Sequence, residues 1–284
     1  MVHVMYNSTA NNGHAYEDVK NIMEKVNDEV TLTDTSVLKD YLEYFENLNA
    51  GDRVILAGGD GTIHYLVNHI PEEQLLKLKL DYVPAGTGND FANELGIKRG
   101  EILEDFTQYL VGLPTAKIKG EEYKVLNGVG YGLDGYACEE GDRLRKITKK
   151  PLSYTSIALK GLLFKFKPVT AAVTVDGNTK VFTNVWCTPV MNGKCYGGGV
   201  FATPNQERLG EDRKISVMVF HCKSKLRSLF MFPSSYKGEH IKYRKYVTIM
   251  KGKNISVSFN RPCACQVDGD TITDVSKIEV SLNK

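Results

Sequence analysis

Residues 54–63 read VILAGGDGTI, and this stretch decides how the first part of the chain folds. An apolar run of strand length leads into a glycine-rich turn and then into a helical pattern. Glycines let a backbone turn tightly and approach a ligand, and the N–H groups at a helix start suit a phosphate. The stretch is neither a Walker A loop nor a G-x-G-x-x-G dinucleotide motif. Two readings stay open: a phosphate-binding loop, or a structural strand-to-helix turn capped by Asp60 or Thr62.

A second loop of the same form lies at residues 83–92, which read VPAGTGNDFA. It brings the hydroxyl of Thr87, the amide of Asn89 and the carboxylate of Asp90 to a helix start. Asn89 or Asp90 could be simple N-caps, each worth about 1 kcal/mol. Ligands of open parallel sheets bind at the carboxyl ends of the strands, where both loops would lie. Two such loops, with carboxylates at Asp60 and Asp90, would supply what a nucleoside triphosphate and Mg²⁺ require.

The hydrophobic pattern divides the chain into two parts. Over residues 1–118, short apolar runs alternate with helical patterns such as Ala15–Val26 and Val37–Leu48, which predicts an α/β domain with a parallel sheet. Over residues 119–284, β-branched runs between turns predict a β-rich sandwich domain. This domain has a hairpin signal at Asp176-Gly177 and helical patterns at Asp134–Ile147 and Leu152–Phe166. Further strands are predicted at Val185–Val190, Ile215–Phe220, Tyr246–Met250, Ile255–Phe259, Ala264–Val267 and Lys277–Val280.

Composition restricts the classes of protein to consider. The chain has 284 residues, 42% hydrophobic and 25% charged, which are ordinary globular values. The net charge of +2 is too small to predict a nucleic-acid partner. No secretory signal is visible, and the most apolar stretch, Ile157–Phe166, is interrupted by Lys160 and Lys165, so no transmembrane span is predicted. We therefore expect a cytoplasmic protein that meets any lipid substrate at the bilayer surface.

Three motifs carry a resemblance to a known family. Residues 58–62 (GGDGT), 84–92 (PAGTGNDFA) and 266–270 (QVDGD) resemble the catalytic domain of diacylglycerol kinases, sphingosine kinases and their bacterial lipid-kinase relatives. NAD kinases and phosphofructokinases share the first motif, whereas the second is nearly diagnostic of lipid kinases. Residues 127–134 (NGVGYGLD) look like the start of the family's second domain. The resemblance covers essentially the whole chain.

The resemblance implies a fold and a reaction. The fold would be a phosphofructokinase- or NAD-kinase-like α/β nucleotide domain (residues 1–118) followed by a β-sandwich lipid-substrate domain (residues 119–284), with ATP and lipid meeting in the cleft between them. The reaction would be the ATP- and Mg²⁺-dependent phosphorylation of the hydroxyl of diacylglycerol or a related membrane lipid. Asp60 and Asp90 would hold or orient Mg²⁺, and Asp270 would be the general base. The nucleotide-binding residues would be Asn7, Ser8, Thr9, Thr33, Gly58, Gly59, Asp60, Gly61, Thr62, His64, Thr87 and Asn89.

A second metal site is implied by bacterial relatives, which carry a structural Mg²⁺ in the second domain. The corresponding ligands here would be the Asp212 carboxylate and the carbonyls of Leu209 and Lys214. Arg213 stands where the family has glycine. The alternative reading of this segment is a solvated acidic turn.

The chain departs from the family pattern at several positions. His64-Tyr65 replaces the usual Asn-Glu, Lys117 stands where relatives have Asp, and Asp270 replaces a Glu. Two alternatives stay open. An NAD-kinase-like phosphotransferase would share the first loop, and the differences at these positions motivate a catalytically weak nucleotide- or lipid-binding regulator. Basic runs at residues 143–150 and 237–245 fit either an anionic bilayer surface or a solvated face. The sequence leaves open whether the chain forms a homodimer.

Overall fold

The computed structural model describes residues 1–8, 19–20, 23–24, 26, 29–148, 152–210 and 212–282. Thr9 and most of the helix predicted over Ala15–Val26 lie outside the described residues. The chain forms two compact units, Met1–Val111 and Gly112–Lys284. The strand Thr115–Ile118 belongs to the second unit because it pairs with the strand Asp270–Ser281.

The first unit contains a parallel sheet of 4 strands in the order β2-β1-β3-β4. Its strands are β1 (Val2–Tyr6), β2 (Val30–Asp34), β3 (Arg53–Gly58) and β4 (Lys79–Pro84). Its helices are α1 (Tyr41–Glu46), α2 (Asp60–His69), α3 (Glu72–Leu75) and α4 (Asp90–Leu95), followed by a 3-10 turn at Phe106–Tyr109. Apolar residues of the two central strands, among them Val4 and Ile55, are fully buried, as expected for parallel strands covered on both faces.

The second unit contains a 10-stranded sheet. Its strands are β5 (Thr115–Ile118), β6 (Glu121–Lys124), β7 (Gly128–Tyr131), β8 (Val169–Val175), β9 (Asn178–Cys187), β10 (Val190–Met191), β11 (Ile215–His221), β12 (Val247–Gly252), β13 (Asn254–Val267) and β14 (Asp270–Ser281). The order is β6-β5-β14-β13-β7-β10-β11-β9-β8, with β12 beside β11. Strand β13 also pairs with β8, so the strand order closes on itself. The predicted fold class, a parallel α/β unit followed by a β-sandwich-like unit, is confirmed.

Helical segments lie between the strands of the second unit. They are α5 (Leu133–Arg145), α6 (Tyr154–Lys160), a π-helical turn (Gly161–Lys165), α7 (Lys225–Met231) and 3-10 turns at Phe232–Lys237 and Glu239–Lys242. The single helix predicted over Leu152–Phe166 is therefore an α-helix continued by a π-helical turn. Within the described ranges, no helix is long and apolar enough to cross a membrane.

Three strand predictions in the second unit were wrong in their limits. The predicted strand Val185–Val190 is divided between β9 and β10, and Pro189 at the division has no N–H to donate to a sheet. The predicted strands Ile255–Phe259 and Ala264–Val267 are parts of the single strand β13, whose pairing with β14 shifts register around Cys263. A bulge lets a long strand bend without ending, which hydrophobic alternation alone does not reveal.

Two of the largest side chains in the core of the second unit have hydrogen-bonded polar atoms. Trp186 is fully buried, and its indole N–H donates to the Cys222 carbonyl at 2.8 Å. The Tyr131 hydroxyl donates to the Val275 carbonyl at 2.6 Å, and its ring stacks on Phe259 at 3.8 Å. A buried hydroxyl or indole without a partner would cost about 1–3 kcal/mol, so these bonds let the aromatic residues fill the core.

Candidate functional site

The two glycine-rich loops of the first unit touch each other. Strands β3 and β4 are paired up to Gly58 and Pro84, so both loops begin at the same edge of the sheet. A Cβ added at Gly86 would lie 2.4 Å from the Gly59 Cα, and one added at Gly59 would lie 2.6 Å from the Gly88 carbonyl oxygen. Neither position has room for a side chain. The contact between the two loops therefore explains the glycines at positions 59 and 86.

Asp60 links these loops through its carboxylate. One oxygen accepts the backbone N–H of Asp90 at 2.7 Å, and the other accepts that of Phe91 at 3.0 Å. The backbone N–H of Asp60 in turn donates to the Gly88 carbonyl at 3.1 Å. Asp60 is the first residue of α2, and its carboxylate therefore accepts hydrogen bonds from N–H groups at the start of α4.

Asn89 and Asp90 lie at the same junction. The Asn89 amide donates to the Gly86 carbonyl at 2.9 Å, whereas its Oδ1 is buried with no hydrogen-bond partner among the described residues. The Asp90 side chain is buried, and Thr87 is exposed at the tip of the loop. The Asn89 amide oxygen and the carboxylates of Asp60 and Asp90, at the starts of α2 and α4, are the type of oxygen ligand that Mg²⁺, a hard cation, takes.

The ends of strands β1 and β2 bring further predicted residues to this edge. The Ser8 N–H donates to Asp34 at 3.1 Å, and its hydroxyl lies 3.0 Å from that of Ser36. Burial alone would raise the pKa of Asp34, but hydrogen bonds from Ser8 and Ser36 lower it to about 2. Thr33 bonds instead to the Tyr44 hydroxyl at 3.0 Å. Asp34 was missed by the sequence analysis, although a carboxylate that follows a strand of a parallel sheet was a usable signal.

Helix α2 carries the remaining predicted nucleotide residues. Gly61 faces open space, and Thr62 packs against Gly58, where an added Cβ would lie 2.4 Å from the Thr62 Oγ1. His64 is buried and its carbonyl accepts the Asn68 amide at 2.9 Å. Tyr65, in the position where relatives have Glu, is 41% exposed and lies against Tyr41 and His69.

In the second unit, Asp268-Gly269-Asp270 forms the hairpin turn between β13 and β14. Asp268 and Gly269 have φ values of 48° and 110°, a left-handed pair typical of a tight hairpin. The Asp268 carboxylate accepts three backbone N–H groups, from Leu126 at 2.7 Å, Asn127 at 2.7 Å and Gly128 at 2.9 Å. Asp268 therefore has a structural role, because it binds the hairpin turn to residues 126–128.

The second acid of that motif is presented to solvent. Asp270 is exposed as the first residue of β14, where it pairs with Val267. The turn is held from behind, because Gly269 N–H donates to the Gln266 side chain at 2.6 Å. The two acids of the turn therefore differ in environment: Asp270 is exposed, whereas Asp268 binds backbone N–H groups of residues 126–128.

Arg208 completes this arrangement and was missed by the sequence analysis. It is buried, and its guanidinium donates to the Leu126 carbonyl at 2.5 Å and to the Asn127 side chain at 2.5 Å. Asp268 thus binds the N–H groups of residues 126–128, and Arg208 binds the oxygens of Leu126 and Asn127. A lone arginine in a loop gave no signal of this role in the sequence.

At the predicted second metal site, two of the predicted ligands contact other protein groups. The exposed Asp212 carboxylate forms ion pairs with Lys214 and, at 3.8 Å, with Lys253. The Lys214 hydrogen bond lowers the pKa of Asp212. The Lys214 carbonyl, predicted as a ligand, accepts the Gln206 amide at 2.6 Å. Two ammonium groups neutralise the only carboxylate of the predicted site, and these residues do not fit a divalent cation.

No cage of protein ligands forms in the part of the chain that the structure describes: no group of three or more His, Cys, Asp and Glu side chains there could hold a metal. A Mg²⁺ at the Asp60 loop would therefore complete its shell with water and with oxygens of a bound phosphate, as Mg²⁺ commonly does.

Comparison with known proteins covers both units. Residues 1–117 match the model of the diacylglycerol kinase catalytic domain, and residues 127–281 match that of the YegS C-terminal NAD kinase beta sandwich-like domain. "Putative lipid kinase YtlR" of Bacillus subtilis is 26% identical over 238 residues, which are 77% of this chain and 74% of that protein. A diacylglycerol kinase of Mycobacterium tuberculosis is 24% identical over 213 residues, 72% of this chain and 66% of that protein.

The fold is also found among solved structures. The crystal structure of a "putative diacylglycerol kinase" from Bacillus anthracis has a TM-score of 0.67 and 18% identity, and covers 100% of this chain and 92% of that one. The order of the two units is therefore shared with a protein of experimentally determined structure.

Proposed function

Because the chain belongs to the family of diacylglycerol-kinase-type kinases, which joins this catalytic domain to a YegS-type C-terminal domain, we propose that it is a lipid kinase. It transfers the γ-phosphate of ATP to the hydroxyl of diacylglycerol or a related membrane lipid. The observation that carries the proposal is the pair of touching glycine loops whose junction is Asp60. Residues 1–118 would bind ATP, and residues 119–284 would bind the lipid.

The nucleotide residues of the proposal lie along one edge of the parallel sheet. Asn7 and Ser8 follow β1, Gly58 ends β3 and residues 59–62 follow it, and Thr87 and Asn89 follow β4. This edge, at the carboxyl ends of the strands, is where open α/β sheets bind ligands. Backbone N–H groups and hydroxyls at the helix starts would bind the phosphates. Mg²⁺, when bound at Asp60, Asp90 and the Asn89 oxygen, would neutralise charge on the phosphates.

Asp270 is the proposed general base. Its carboxylate would take the proton of the lipid hydroxyl as that oxygen forms its bond to the γ-phosphorus. The bond from the γ-phosphorus to the bridging oxygen then breaks, and ADP leaves with the electron pair. The exposed carboxylate on a rigid hairpin supports this role, since the Asp268 beside it is fully engaged with backbone N–H groups.

The lipid acceptor implies work at the surface of a bilayer. A diacylglycerol remains in the membrane, so the enzyme would act as a cytoplasmic protein bound peripherally to the membrane. A homodimer is compatible with this role but is not required by it.

The proposal is tested by incubating the purified protein with ATP, Mg²⁺ and mixed micelles that contain diacylglycerol, a sphingoid base or a monoacylglycerol. We expect a phosphorylated lipid from the wild type and almost none from Asp270→Asn. Lys180→Gln, a change at an exposed position of β9 that no predicted site includes, is the matched control and should retain turnover. Nucleotide binding without any lipid product would reject the kinase proposal and favour a nucleotide-binding regulator. Phosphorylation of NAD in place of lipid would favour the NAD-kinase-like alternative.

A further inference from the structure

The second unit has large apolar side chains on its surface. Phe164 is 76% exposed, Phe230 is 75% exposed and Leu226 is 62% exposed. Leu226 and Phe230 are four residues apart on α7, so their side chains lie on the same face of that helix. Phe164 lies in the π-helical turn Gly161–Lys165, which packs against α7. We call Phe164, Leu226 and Phe230 the apolar patch.

The two elements that carry the patch are tied together. The Lys225 ammonium at the start of α7 donates to the Leu163 carbonyl at 2.8 Å. Leu163 and Leu229, the residues beside Phe164 and Phe230 in the chain, pack against the core. The partly buried side chains of Leu163 and Leu229 thus anchor the backbone to the core, while the neighbouring Phe164 and Phe230 rings remain exposed.

The two sequence segments that carry the patch have charges of a single sign. Residues 152–175 and 221–236, which include both elements, contain no Asp or Glu. They contain six basic residues: Lys160, Lys165, Lys167, Lys223, Lys225 and Arg227. Protein interfaces usually carry a polar rim of mixed character, whereas exposed aromatic and leucine side chains among lysines and arginines suit an anionic lipid surface.

The basic runs that were noted in the sequence differ from this region. Arg143 forms an ion pair with Glu140 at 2.7 Å, and Lys242 forms one with Glu239 at 3.5 Å. Both runs are therefore partly neutralised by acids on their own helical turns. The segments of the apolar patch contain no acid and expose three large apolar side chains. Each basic run instead contains a cation paired with an acid and exposes one large apolar side chain, Ile147 or Tyr243.

We propose that the apolar patch is the surface with which the second unit inserts into an anionic phospholipid bilayer. The inference deepens the proposed lipid-kinase function by naming the surface through which the enzyme reaches its substrate. The insertion itself requires neither ATP nor turnover. Phe164, Leu226 and Phe230 would enter the boundary between head groups and acyl chains, while the lysines remain at the level of the phosphates.

Vesicle binding tests the inference directly. The wild type is sedimented with vesicles of phosphatidylglycerol and phosphatidylcholine, without nucleotide, beside the double variant Phe164→Ser/Phe230→Ser. We expect the double variant to bind at least about tenfold more weakly, because two aromatic side chains no longer enter the bilayer. The control is Val181→Ser, which removes an apolar side chain that is 67% exposed on β9 and should leave binding unchanged.

The electrostatic part has its own variant. Lys160→Gln/Lys223→Gln should weaken binding roughly fivefold for each charge removed and reduce the dependence on salt. Vesicles of phosphatidylcholine alone should bind the wild type much more weakly than the mixed vesicles do. Equal binding to both kinds of vesicle would contradict the electrostatic part of the inference.

Other outcomes overturn the inference without touching the kinase proposal. Wild-type vesicle binding by the double variant would show that the patch does not insert. A change of oligomeric state in the double variant, with vesicle binding retained, would show that the patch joins two copies of the chain. A short-chain diacylglycerol dissolved as monomers separates the two proposals: the double variant should phosphorylate it as the wild type does. Loss of vesicle binding in a chain that phosphorylates no lipid would uphold the insertion surface and reject the kinase.

Discussion

The Asp60 carboxylate accepts the backbone N–H of Asp90 at 2.7 Å. Asp60 begins α2 and Asp90 begins α4, so this bond joins the first turns of helices that follow neighbouring strands. A carboxylate is a favoured partner there, because the first N–H groups of a helix have no intrahelical acceptor and the N-terminus carries partial positive charge. The residue proposed to orient Mg²⁺ thus also fixes the loop that precedes α4.

Asp60→Asn should therefore reduce both stability and nucleotide binding. The asparagine side chain accepts only at its oxygen, because its nitrogen is a donor. The backbone N–H of either Asp90 or Phe91 would therefore face that nitrogen and lose its hydrogen bond. We expect the free energy of unfolding to fall by about 1–3 kcal/mol, measured with urea, and the affinity for an ATP analogue to fall in calorimetry. The control Asp40→Ala removes an exposed cap from α1, with a cost of about 1 kcal/mol, and should leave nucleotide affinity intact. Equal nucleotide affinity in wild type and Asp60→Asn would contradict the assignment.

Gly86→Ala tests the contact between the two loops. The new methyl group would lie 2.4 Å from the Gly59 Cα, so the loops must separate. We expect a loss of about 1–3 kcal/mol in the free energy of unfolding, together with weaker nucleotide binding. Gly61→Ala is the matched variant, since its added Cβ meets nothing within 4 Å. Gly61→Ala should keep or raise the free energy of unfolding. Any loss of nucleotide affinity in Gly61→Ala would therefore come from contact between the new methyl group and the nucleotide.

Neighbouring acids of the hairpin turn should behave in opposite ways. Asp268→Asn weakens the acceptor of three N–H groups and should lower the free energy of unfolding by about 2 kcal/mol or more. Asp270→Asn should change stability by less than about 0.5 kcal/mol, because the side chain is exposed. Its turnover should fall by about a hundredfold to ten-thousandfold. Thermal unfolding and lipid phosphorylation are measured on both variants. The assignment would be contradicted if Asp270→Asn lost more stability than Asp268→Asn.

Removal of divalent cations should leave the second unit almost unchanged. Lys214 and Lys253 already neutralise Asp212, so Mg²⁺ would have to displace two ammonium groups. We expect thermal unfolding without nucleotide to be the same in EDTA and in millimolar Mg²⁺. Lys214→Met/Lys253→Met should make the midpoint respond to Mg²⁺, because the carboxylate would then lack cations. A clear rise of the wild-type midpoint with Mg²⁺ would show instead that the predicted site at Leu209, Asp212 and Lys214 is real.

Asp134 should make stability depend on pH. Burial raises its pKa to about 7, and one of its oxygens has no hydrogen-bond partner among the described residues. Between about pH 4 and pH 7 the unfolded chain loses this proton and the folded chain keeps it, so the free energy of unfolding falls as pH rises. Asp134→Asn lacks this titrating group, so its free energy of unfolding should not fall in this way. Relative to the wild type it should rise by up to about 1.4 kcal/mol per pH unit between about pH 4 and pH 7.

Urea titrations at several pH values measure this difference. The control is Asp274→Asn, which changes an exposed carboxyl on β14 and should show no such trend. A difference between Asp134→Asn and wild type that stays constant with pH would mean that Asp134 is ionised in the folded state.

Some features were predictable because their causes are local. Strand β3, the glycine turn and α2 follow from an apolar run, residues without Cβ atoms and a helical pattern in adjacent positions. The hairpin at Asp176-Gly177 was likewise confirmed, with φ values of 46° and 84° at those residues. Periodicity failed where a strand bends, as in β13, because the shift around Cys263 depends on the partner strand.

The sequence by itself determined the order of the elements, the two glycine loops and the acids at their ends, since turn chemistry and hydrophobic period act over a few residues. Only the tertiary structure decided what each acid does. Asp60 lies 30 residues from the N–H group of Asp90 that it accepts, and Asp268 lies 142 residues from that of Leu126. Which lysines surround Asp212, and which phenylalanines stay on the surface, were decided in the same way. Partners so distant along the chain meet only when the sheets form, and no local pattern in the sequence encodes such a meeting.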